Sequence, residues 1–163
     1  MMIHEMTGDI LLSDAHVIAH GISPNDDFHQ GLALQLRESL PEMYKAFRHF
    51  CQTMHPKPGS FMAWRLGQTR VLAHLFTQAP AYDHGRKPGR ATVSDVNHAL
   101  HALRNFVQKE NAASIALPKL ACGVGGLEWQ EVRPLISKHL GDLGIPVYVY
   151  VNYNKNLKAQ EPK

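Results

Sequence analysis

A polar loop near the amino terminus carries the side chains best suited to acid–base chemistry. In the stretch Ser-Pro-Asn-Asp-Asp-Phe-His-Gln-Gly, Asp26 and Asp27 lie three and two residues before His29. Carboxylates and an imidazole can accept or donate a proton near neutral pH, as general acid–base catalysis requires. The same composition is typical of an exposed loop in which Asp and Asn form turns. A catalytic loop and a plain surface loop therefore remain alternatives for residues 23–31.

A second stretch, Cys-Gly-Val-Gly-Gly at residues 122–126, is suited to binding an anion. Glycines let a ligand approach the main chain, and a turn from a strand into a helix aims N–H groups and the positive end of the helix dipole outward. The specific phosphate motifs G-x-G-x-x-G and G-x-x-x-x-G-K are absent, so a plain tight turn remains the alternative. Cys122 lies where a thiolate nucleophile would be favoured. No histidine is obviously placed to activate it, which favours a small packing residue.

A third loop, residues 77–91, is rich in proline, glycine and basic residues. Its aromatic and imidazole groups, Tyr82 and His84, could stack on a ligand or hydrogen-bond to it. Its bases could meet phosphate groups; they are Arg86, Lys87 and Arg90. Solvated surface charge is the simpler interpretation of each base taken singly.

The eleven histidines invite a metal-site interpretation that their spacing does not support. His98 and His101 are three residues apart on a predicted helix, and His16 and His20 lie on a predicted strand. Neither pair has a third ligand at convincing spacing, so we predict no metal and no other cofactor.

Composition favours one soluble domain. The chain has 163 residues, a net charge of +3 and no block of like charge, which makes a nucleic-acid-binding tail a weak alternative. Its two cysteines form neither a disulfide framework nor a zinc pattern, which is typical of reduced thiols in the cytoplasm. No signal peptide or membrane-spanning run is found, and we expect a cytoplasmic monomer that does not contact membranes.

Hydrophobic periodicity predicts the strands and helices that position these three loops. Strands are predicted at residues 17–22, 60–64, 70–76, 113–118 and 146–151. One helix of about five turns is predicted from an apolar stripe with gaps of three and four; the stripe is Leu32, Leu36, Leu40, Met43, Phe47 and Phe50. A second helix follows a cap at Thr92 or Ser94, with apolar positions at Val93, Val96, Leu100, Leu103 and Val107. A third has its stripe at Val132, Leu135, Ile136 and Leu140.

This alternation predicts an α/β sandwich with a mostly parallel centre. Ligands of such sheets bind outside the carboxyl ends of the strands. Each of the three unusual loops follows a predicted strand, so all three are expected at that edge. Residues 154–163 are polar and charged, and a flexible tail is predicted there.

Taken in order, these pieces resemble the macrodomain family, whose members bind ADP-ribose. The matching stretches are TGDI, AHGIS…HQGLALQL, LFTQ and LPKLACGVGGLEW. The similarity runs from residues 7–10 to residues 146–151, and we predict one macrodomain over residues 1–153. The matching stretches look most like the branch of ADP-ribose glycohydrolases that act on protein or DNA, and like bacterial ADP-ribose-1″-phosphate processing proteins. The resemblance implies a three-layer α/β/α fold with a mixed, centrally parallel sheet.

The resemblance also implies a role for individual residues. Asp9 would accept a hydrogen bond from the adenine amino group, with a backbone contact at Ile10, and Tyr150 and Asn152 would flank the adenine. Ser23 and the loop that follows would wrap the distal ribose and a phosphate; the loop residues are Phe28, His29, Gln30, Gly31, Leu32 and Ala33. Thr77 and Gln78 would lie beside the distal ribose. The glycine turn would hold the diphosphate; its residues are Cys122, Gly123, Val124, Gly125, Gly126 and Leu127. Pro118, shortly before the turn, is a further predicted ligand contact.

The chain departs from the family pattern at the positions that carry catalysis. Glycohydrolases of this branch have a lysine that attacks the sugar carbon C1″, and here that position is Gln78, which cannot form a lysyl adduct. Where relatives have an aspartate in the glycine loop, this chain has Gly125. His29 replaces a glycine of the first loop. The lysine mechanism therefore does not transfer.

The sequence thus leads to two hypotheses. The first is an ADP-ribose-binding macrodomain that hydrolyses an ADP-ribosyl linkage on protein or nucleic acid, or a 1″-derivative, by a lysine-independent route. Water would be activated by a substrate phosphate or by the candidate catalytic residues His29, Asp26 and Asp27. The second is a non-catalytic ADP-ribose reader, which the loss of the lysine and the aspartate favours. A nucleotide- or RNA-binding module is a weaker third, because the net charge is modest.

Overall fold

The computed structural model describes residues 2–80 and 89–163. A six-stranded sheet forms its centre in the order β1-β6-β5-β2-β4-β3. Every neighbouring pair is parallel except β3 and β4, which are antiparallel. The strands are β1 (Ile3–Gly8), β2 (Val17–Ile22), β3 (Phe61–Leu66), β4 (Arg70–Phe76), β5 (Ile115–Pro118) and β6 (Val147–Tyr153). The mixed, centrally parallel sheet is confirmed; the last strand lies inside it, and β1 forms the edge.

Helices cover both faces of the sheet and complete three layers. They are α1 (Gly31–Ser39), α2 (Pro41–Met54), α3 (Val93–Glu110) and α4 (Trp129–Leu140). Neighbouring strand residues point to opposite faces: Val17 belongs to the core under α3 and α4, and Ile18 to the core under α1 and α2. Near-continuous apolar strands such as β2 and β5 are therefore buried on both sides. None of the helices described is both long and apolar enough to cross a membrane.

The single helix predicted over the Leu32–Phe50 stripe is wrong, because the structure has two helices there. Leu40 ends α1 with φ −133° and ψ 67°, and Pro41 begins α2. Proline has no N–H and excludes the helical conformation from the residue before it, so the chain turns at this point. The apolar spacing hides the break, since both helices bury their stripe in the same core.

The C-terminal segment, defined here as residues 154–163, lies against the domain. The Leu157 carbonyl accepts a hydrogen bond of 2.7 Å from the Asp9 N–H, and the Glu161 carboxylate accepts one of 2.6 Å from the Tyr150 hydroxyl. The Tyr148 hydroxyl donates to the Pro162 carbonyl. The flexibility of the segment stays a prediction, and the structure adds this set of contacts to it.

The loops after β2, β4 and β5 meet at one edge of the sheet, as parallel strand order requires. The Gly125 carbonyl accepts a hydrogen bond of 3.0 Å from the Ala91 N–H, which ties the glycine turn to the loop after β4. Gln78 pairs with Ala91 in an isolated β-bridge within that loop. The predicted ligand contacts of Tyr82, His84, Arg86 and Lys87 fall outside the described residues.

Candidate functional site

An elongated cleft follows the edge where the three loops meet. It consists of two adjoining cavities, one of about 350 Å³ and one of about 290 Å³, whose walls share Gly31, Leu32 and Pro118. The larger cavity lies between the loop after β2 and the glycine turn. The smaller one reaches Tyr150 and Tyr153 on β6. A cleft made of two adjoining cavities with different walls suits an extended ligand with chemically different ends.

The glycine turn offers the cleft a row of main-chain donors. Gly123, Val124 and Gly125 line the larger cavity. Within the described residues their N–H groups have no acceptor, whereas the N–H groups of Gly126 and Leu127 donate within the turn. Successive unpaired amides make a concave anion site.

The amino end of α4 does not share in that anion site. Glu128 is its N-cap residue, and Glu128 and Glu131 form a capping box in which each side chain accepts from the other's backbone N–H. The chain's own carboxylates therefore already satisfy the first turn of this helix. The free donors at this end of the cleft are therefore the turn amides, and not the first turn of α4 as the sequence suggested.

Asp26 holds the first loop in shape from inside. Its side chain accepts hydrogen bonds from the Ser23 hydroxyl at 2.9 Å and from the Phe28 N–H at 2.7 Å. Burial raises the pKa of this carboxyl, and the two hydrogen bonds oppose that rise. Asp26 also lines the larger cavity. Ser23 and Phe28 are both fully buried, so the loop uses them for its own folding.

Asp27 and His29 form an exposed pair on the same loop. The His29 Nδ1 atom contacts the Asp27 carboxylate, and both side chains are more than half exposed. One ligand atom from each of Asp26, Asp27 and His29 lies within 4.8 Å of the others, so the structure brings the three predicted acid–base residues together. The Arg37 guanidinium donates to the Asp27 carbonyl at 2.9 Å and steadies the turn.

His20 is a cavity residue that the sequence indicated only as half of a doubtful metal pair. It lies on β2 beneath the larger cavity, and its Nε2 atom is 2.7 Å from Nδ1 of His74 on β4. Burial lowers the pKa of His20 to about 4 and lowers that of His74 as well, so both imidazoles are neutral at pH 7. The sequence feature that could have identified His20 is a histidine inside an otherwise apolar strand.

Gln78 occupies the wall opposite the first loop. It is buried, lines the larger cavity, and donates from Nε2 to the Gly89 carbonyl at 3.0 Å. Thr77, its neighbour, is fully buried, and its hydroxyl has no partner in the described structure. A Cβ atom at Gly21 would lie 2.8 Å from that hydroxyl, so this contact between β2 and the loop after β4 requires glycine.

The smaller cavity has mostly apolar walls. Ile10, Leu32, Pro118 and Tyr150 are among its walls. The carboxylate residue Asp9 lines a separate cavity of about 450 Å³, which shares Gln35 with the smaller one. Asp9 precedes Ile10 and caps a short 3₁₀ turn, Ile10–Leu12, by accepting from the Leu11 N–H at 3.0 Å. A flat apolar slot next to a hydrogen-bond acceptor suits a nucleobase with an amino group.

The cleft contains about half of the residues predicted to contact ligand. Those lining it are Ile10, Asp26, Gln30, Gly31, Leu32, Ala33, Gln78, Pro118, Gly123, Val124, Gly125 and Tyr150. Of the described residues, the predicted contacts that line neither of these two cavities are Asp9, Ser23, Asp27, Phe28, His29, Thr77, Cys122, Gly126, Leu127 and Asn152; Asp9 lines a third cavity instead. Cys122 donates its thiol to the Leu120 carbonyl, and burial raises its pKa, which disfavours a nucleophilic thiolate.

The cavity walls also contain residues to which the sequence analysis assigned no ligand contact. They are His20, Gly21, Ile22, Gln35, Lys119, Leu120, Ala121 and Tyr153. Tyr153 lies two residues beyond the predicted last strand, and its hydroxyl donates to the Gln35 side chain at 2.8 Å. An aromatic residue at the carboxyl end of a central strand was the available signal.

The fold and this cleft define a three-layer α/β/α protein with a ligand site at the carboxyl edge of its parallel strands. A family model described as the Macro domain matches residues 20–136. The chain belongs to the macrodomain family.

Within the macrodomain family, the chain is similar to the following proteins and solved structures. It is 29% identical over 150 residues to a DNA ADP-ribosyl glycohydrolase of Thermus aquaticus, covering 91% of this chain and 41% of that protein. The macrodomain of Mycobacterium tuberculosis DarG superposes with a TM-score of 0.82 at 24% identity, covering 91% of this chain and 97% of that one. Thermosipho africanus DarTG in complex with ADP-ribose gives a TM-score of 0.79 at 22% identity, covering 98% and 43%. The chain spans about two fifths of the length of the curated relatives first matched.

Proposed function

We propose that this macrodomain binds ADP-ribose and hydrolyses an ADP-ribosyl linkage, with ADP-ribosylated DNA as the favoured substrate. The observation that carries the proposal is the continuous cleft, which has unpaired amides in the middle and an apolar slot at one end. The diphosphate matches the amides of the glycine turn, and adenine matches the slot beside Asp9. The similarity to proteins named DNA ADP-ribosyl glycohydrolases supports DNA as the carrier of the modification.

The adenine amino group is assigned to Asp9. A carboxylate accepts hydrogen bonds only, so it matches an exocyclic amino group and disfavours a carbonyl in that place. Ile10 and Tyr150 both line the slot that we assign to the base.

The catalytic step is assigned to water, because the chain has no nucleophile where relatives have one. Gln78 cannot form an adduct, and a Cβ at Gly125 would lie 2.6 Å from the Ala121 carbonyl oxygen, so an aspartate does not fit there. Water attacks C1″ of the distal ribose, the bond from C1″ to the modified group breaks, and the departing atom takes up a proton. His29, oriented by Asp27, is the candidate base that accepts the proton of the water.

The second candidate function is an ADP-ribose reader without turnover. It is favoured by the exposure of Asp27 and His29 and by the use of both Asp26 oxygens inside the loop. These groups would then only shape and charge the rim of the cleft.

One experiment separates the two functions. ADP-ribose is titrated by calorimetry, and the protein is then incubated with ADP-ribosylated DNA, mono-ADP-ribosylated protein and ADP-ribose-1″-phosphate. The proposal is supported if the wild-type protein hydrolyses the DNA adduct and His29→Ala lowers the rate at least about a hundredfold. The affinity of His29→Ala for ADP-ribose should be unchanged. Glu110→Gln, which breaks an exposed ion pair with Arg65 on the far edge of the sheet, is the control.

The outcomes of this experiment differ in what they overturn. Binding without turnover of any substrate identifies a reader. Turnover that persists in both His29→Ala and Asp27→Asn excludes these two residues as catalytic groups. Turnover of only the protein adduct or only the 1″-phosphate overturns DNA as the substrate. No heat of binding at millimolar ADP-ribose overturns the whole proposal.

A further inference from the structure

We propose that the C-terminal segment is a positioning element for the base end of the cleft, with Glu161 as the residue that holds it in place. Through this segment the chain controls how strongly it distinguishes adenine from a base without the amino group. The inference rests on the proposed ADP-ribose binding and adds a source of base specificity to it.

The first support is the way the segment holds the Asp9 carboxylate. The Asn156 N–H donates to Asp9 Oδ2 at 3.0 Å, and the Leu11 N–H donates to Oδ1 at 3.0 Å. The Asp9 N–H in turn donates to the Leu157 carbonyl. Each carboxylate oxygen therefore has one fixed donor and keeps lone-pair capacity for a further one. The segment orients the carboxylate without using up its acceptor capacity.

The second support is the close approach of the segment to β1. A Cβ atom at Gly8 would lie 2.9 Å from the Leu157 carbonyl oxygen and 3.0 Å from the Ala159 Cβ. Gly8 also has φ +156°, a conformation that residues with a side chain rarely adopt. The last residue of β1 is therefore a glycine where the segment crosses it, and Ala159 packs against the core under α1 and α2.

The third support is the set of donors around Glu161. Its Oε2 atom accepts from the Ser13 hydroxyl and from the Tyr150 hydroxyl, each at 2.6 Å, and Oε1 accepts from the Asp14 N–H at 3.2 Å. Burial, and after it the contact with Glu161, raise the pKa of Tyr150, so its hydroxyl stays protonated and donates. Tyr150 is the residue whose ring lines the base slot.

The consequence is that one carboxylate fixes two parts of the base site at once. Glu161 holds Tyr150 directly through its hydroxyl, and it holds Asp9 through the part of the segment that contains Asn156 and Leu157. A site that matches an amino group with a fixed acceptor rejects an analogue lacking that group, because the acceptor is then left unpaired. Loosening the segment should therefore weaken discrimination between bases more than it weakens binding of the diphosphate.

The test compares Glu161→Ala with the wild-type protein. Calorimetry measures the affinity for ADP-ribose and for inosine diphosphate ribose, in which a carbonyl replaces the amino group. The ratio of the two affinities is expected to fall at least about fivefold in Glu161→Ala, by analogy with other hydrogen-bonding sites. The affinity ratio of Glu161→Gln, which keeps one acceptor oxygen, is expected to lie between the ratios of the wild-type protein and Glu161→Ala. Glu110→Ala removes the same charge at a distant exposed ion pair and serves as the matched control.

A second measurement needs no ligand. Amide hydrogen exchange at Asp9 and Asn156 should become faster in Glu161→Ala, while exchange in α3 stays unchanged and shows that the domain remains folded. An unchanged affinity ratio in Glu161→Ala, or tighter ADP-ribose binding, would overturn this inference and leave ADP-ribose binding intact. A wild-type protein that binds neither nucleotide would overturn the proposed function, and with it the role of the segment.

Discussion

Gly125 shows how a single position in the cleft is set by packing. A Cβ atom there would lie 2.6 Å from the Ala121 carbonyl oxygen and 2.9 Å from the Ala91 Cβ. The Gly125 carbonyl meanwhile accepts from the Ala91 N–H. At the position where the resemblance places an aspartate, this chain thus has a glycine that allows two loops to pack against each other.

Gly125→Ala should consequently lower the free energy of unfolding by about 1–3 kcal/mol, since one loop must move to admit the methyl group. Gly123→Ala is the matched control, because a Cβ there meets no atom within 4 Å. Thermal and urea unfolding measure both variants. Equal stability of Gly125→Ala and Gly123→Ala would contradict the packing argument.

The elements show where local signals are sufficient. Helix α3 begins after Thr92, whose side chain accepts from the Asp95 N–H, and ends at Asn111 in the left-handed conformation. The sequence left Thr92 and Ser94 as alternative caps, and the structure selects Thr92. The break between α1 and α2 had an equally local signal in Pro41, but the continuous apolar stripe obscured it.

Thr92→Ala is expected to destabilise the domain by about 1 kcal/mol, because the first turn of α3 loses its side-chain cap. Ser94→Ala, two residues further along, removes a hydroxyl inside the helix and should change the free energy of unfolding by less than about 0.5 kcal/mol. Urea denaturation of the two variants checks the difference. Greater destabilisation by Ser94→Ala would show that the cap is assigned to the wrong residue.

At the scale of the whole molecule, the buried histidine pair couples stability to pH. His20 and His74 join β2 to β4 in the core beside Phe28 and Phe47. Their pKa values are lowered in the folded state by burial, to about 4 for His20. Protonation thus favours the unfolded chain, whose histidines have pKa values of about 6.5.

The stabilising effect of keeping the pair neutral is therefore fully present above pH of about 6.5 and declines as the pH falls toward 4. Each histidine that binds a proton only on unfolding lowers the free energy of unfolding by about 1.4 kcal/mol per pH unit in that range. Urea denaturation between pH 7.5 and 4.5 measures this dependence. The double variant His20→Leu/His74→Leu should show a shallower dependence, and an equal slope in both proteins would remove the pair as its cause.

A feature could be predicted from the sequence when the residues that define it lie close together along the chain. Glycine, proline and polar loops are visible in the sequence, and they located the glycine turn, the Asp26–His29 loop and Gln78 correctly at one edge. His20 and Tyr153 belong to the same cleft but lie on apolar strands, where a residue's face and neighbours depend on strand order.

The amino-acid sequence by itself determined most of the strands and helices, the layers and the identity of the cleft-forming loops, because hydrophobic periodicity and turn residues act within a few positions along the chain. Only the tertiary structure decided which residues face the cleft, since Phe28 and Thr77 are buried while Tyr153 reaches it. It also decided that residues 154–163 lie beside Asp9. That contact joins positions about 147 residues apart, and no local pattern can specify it.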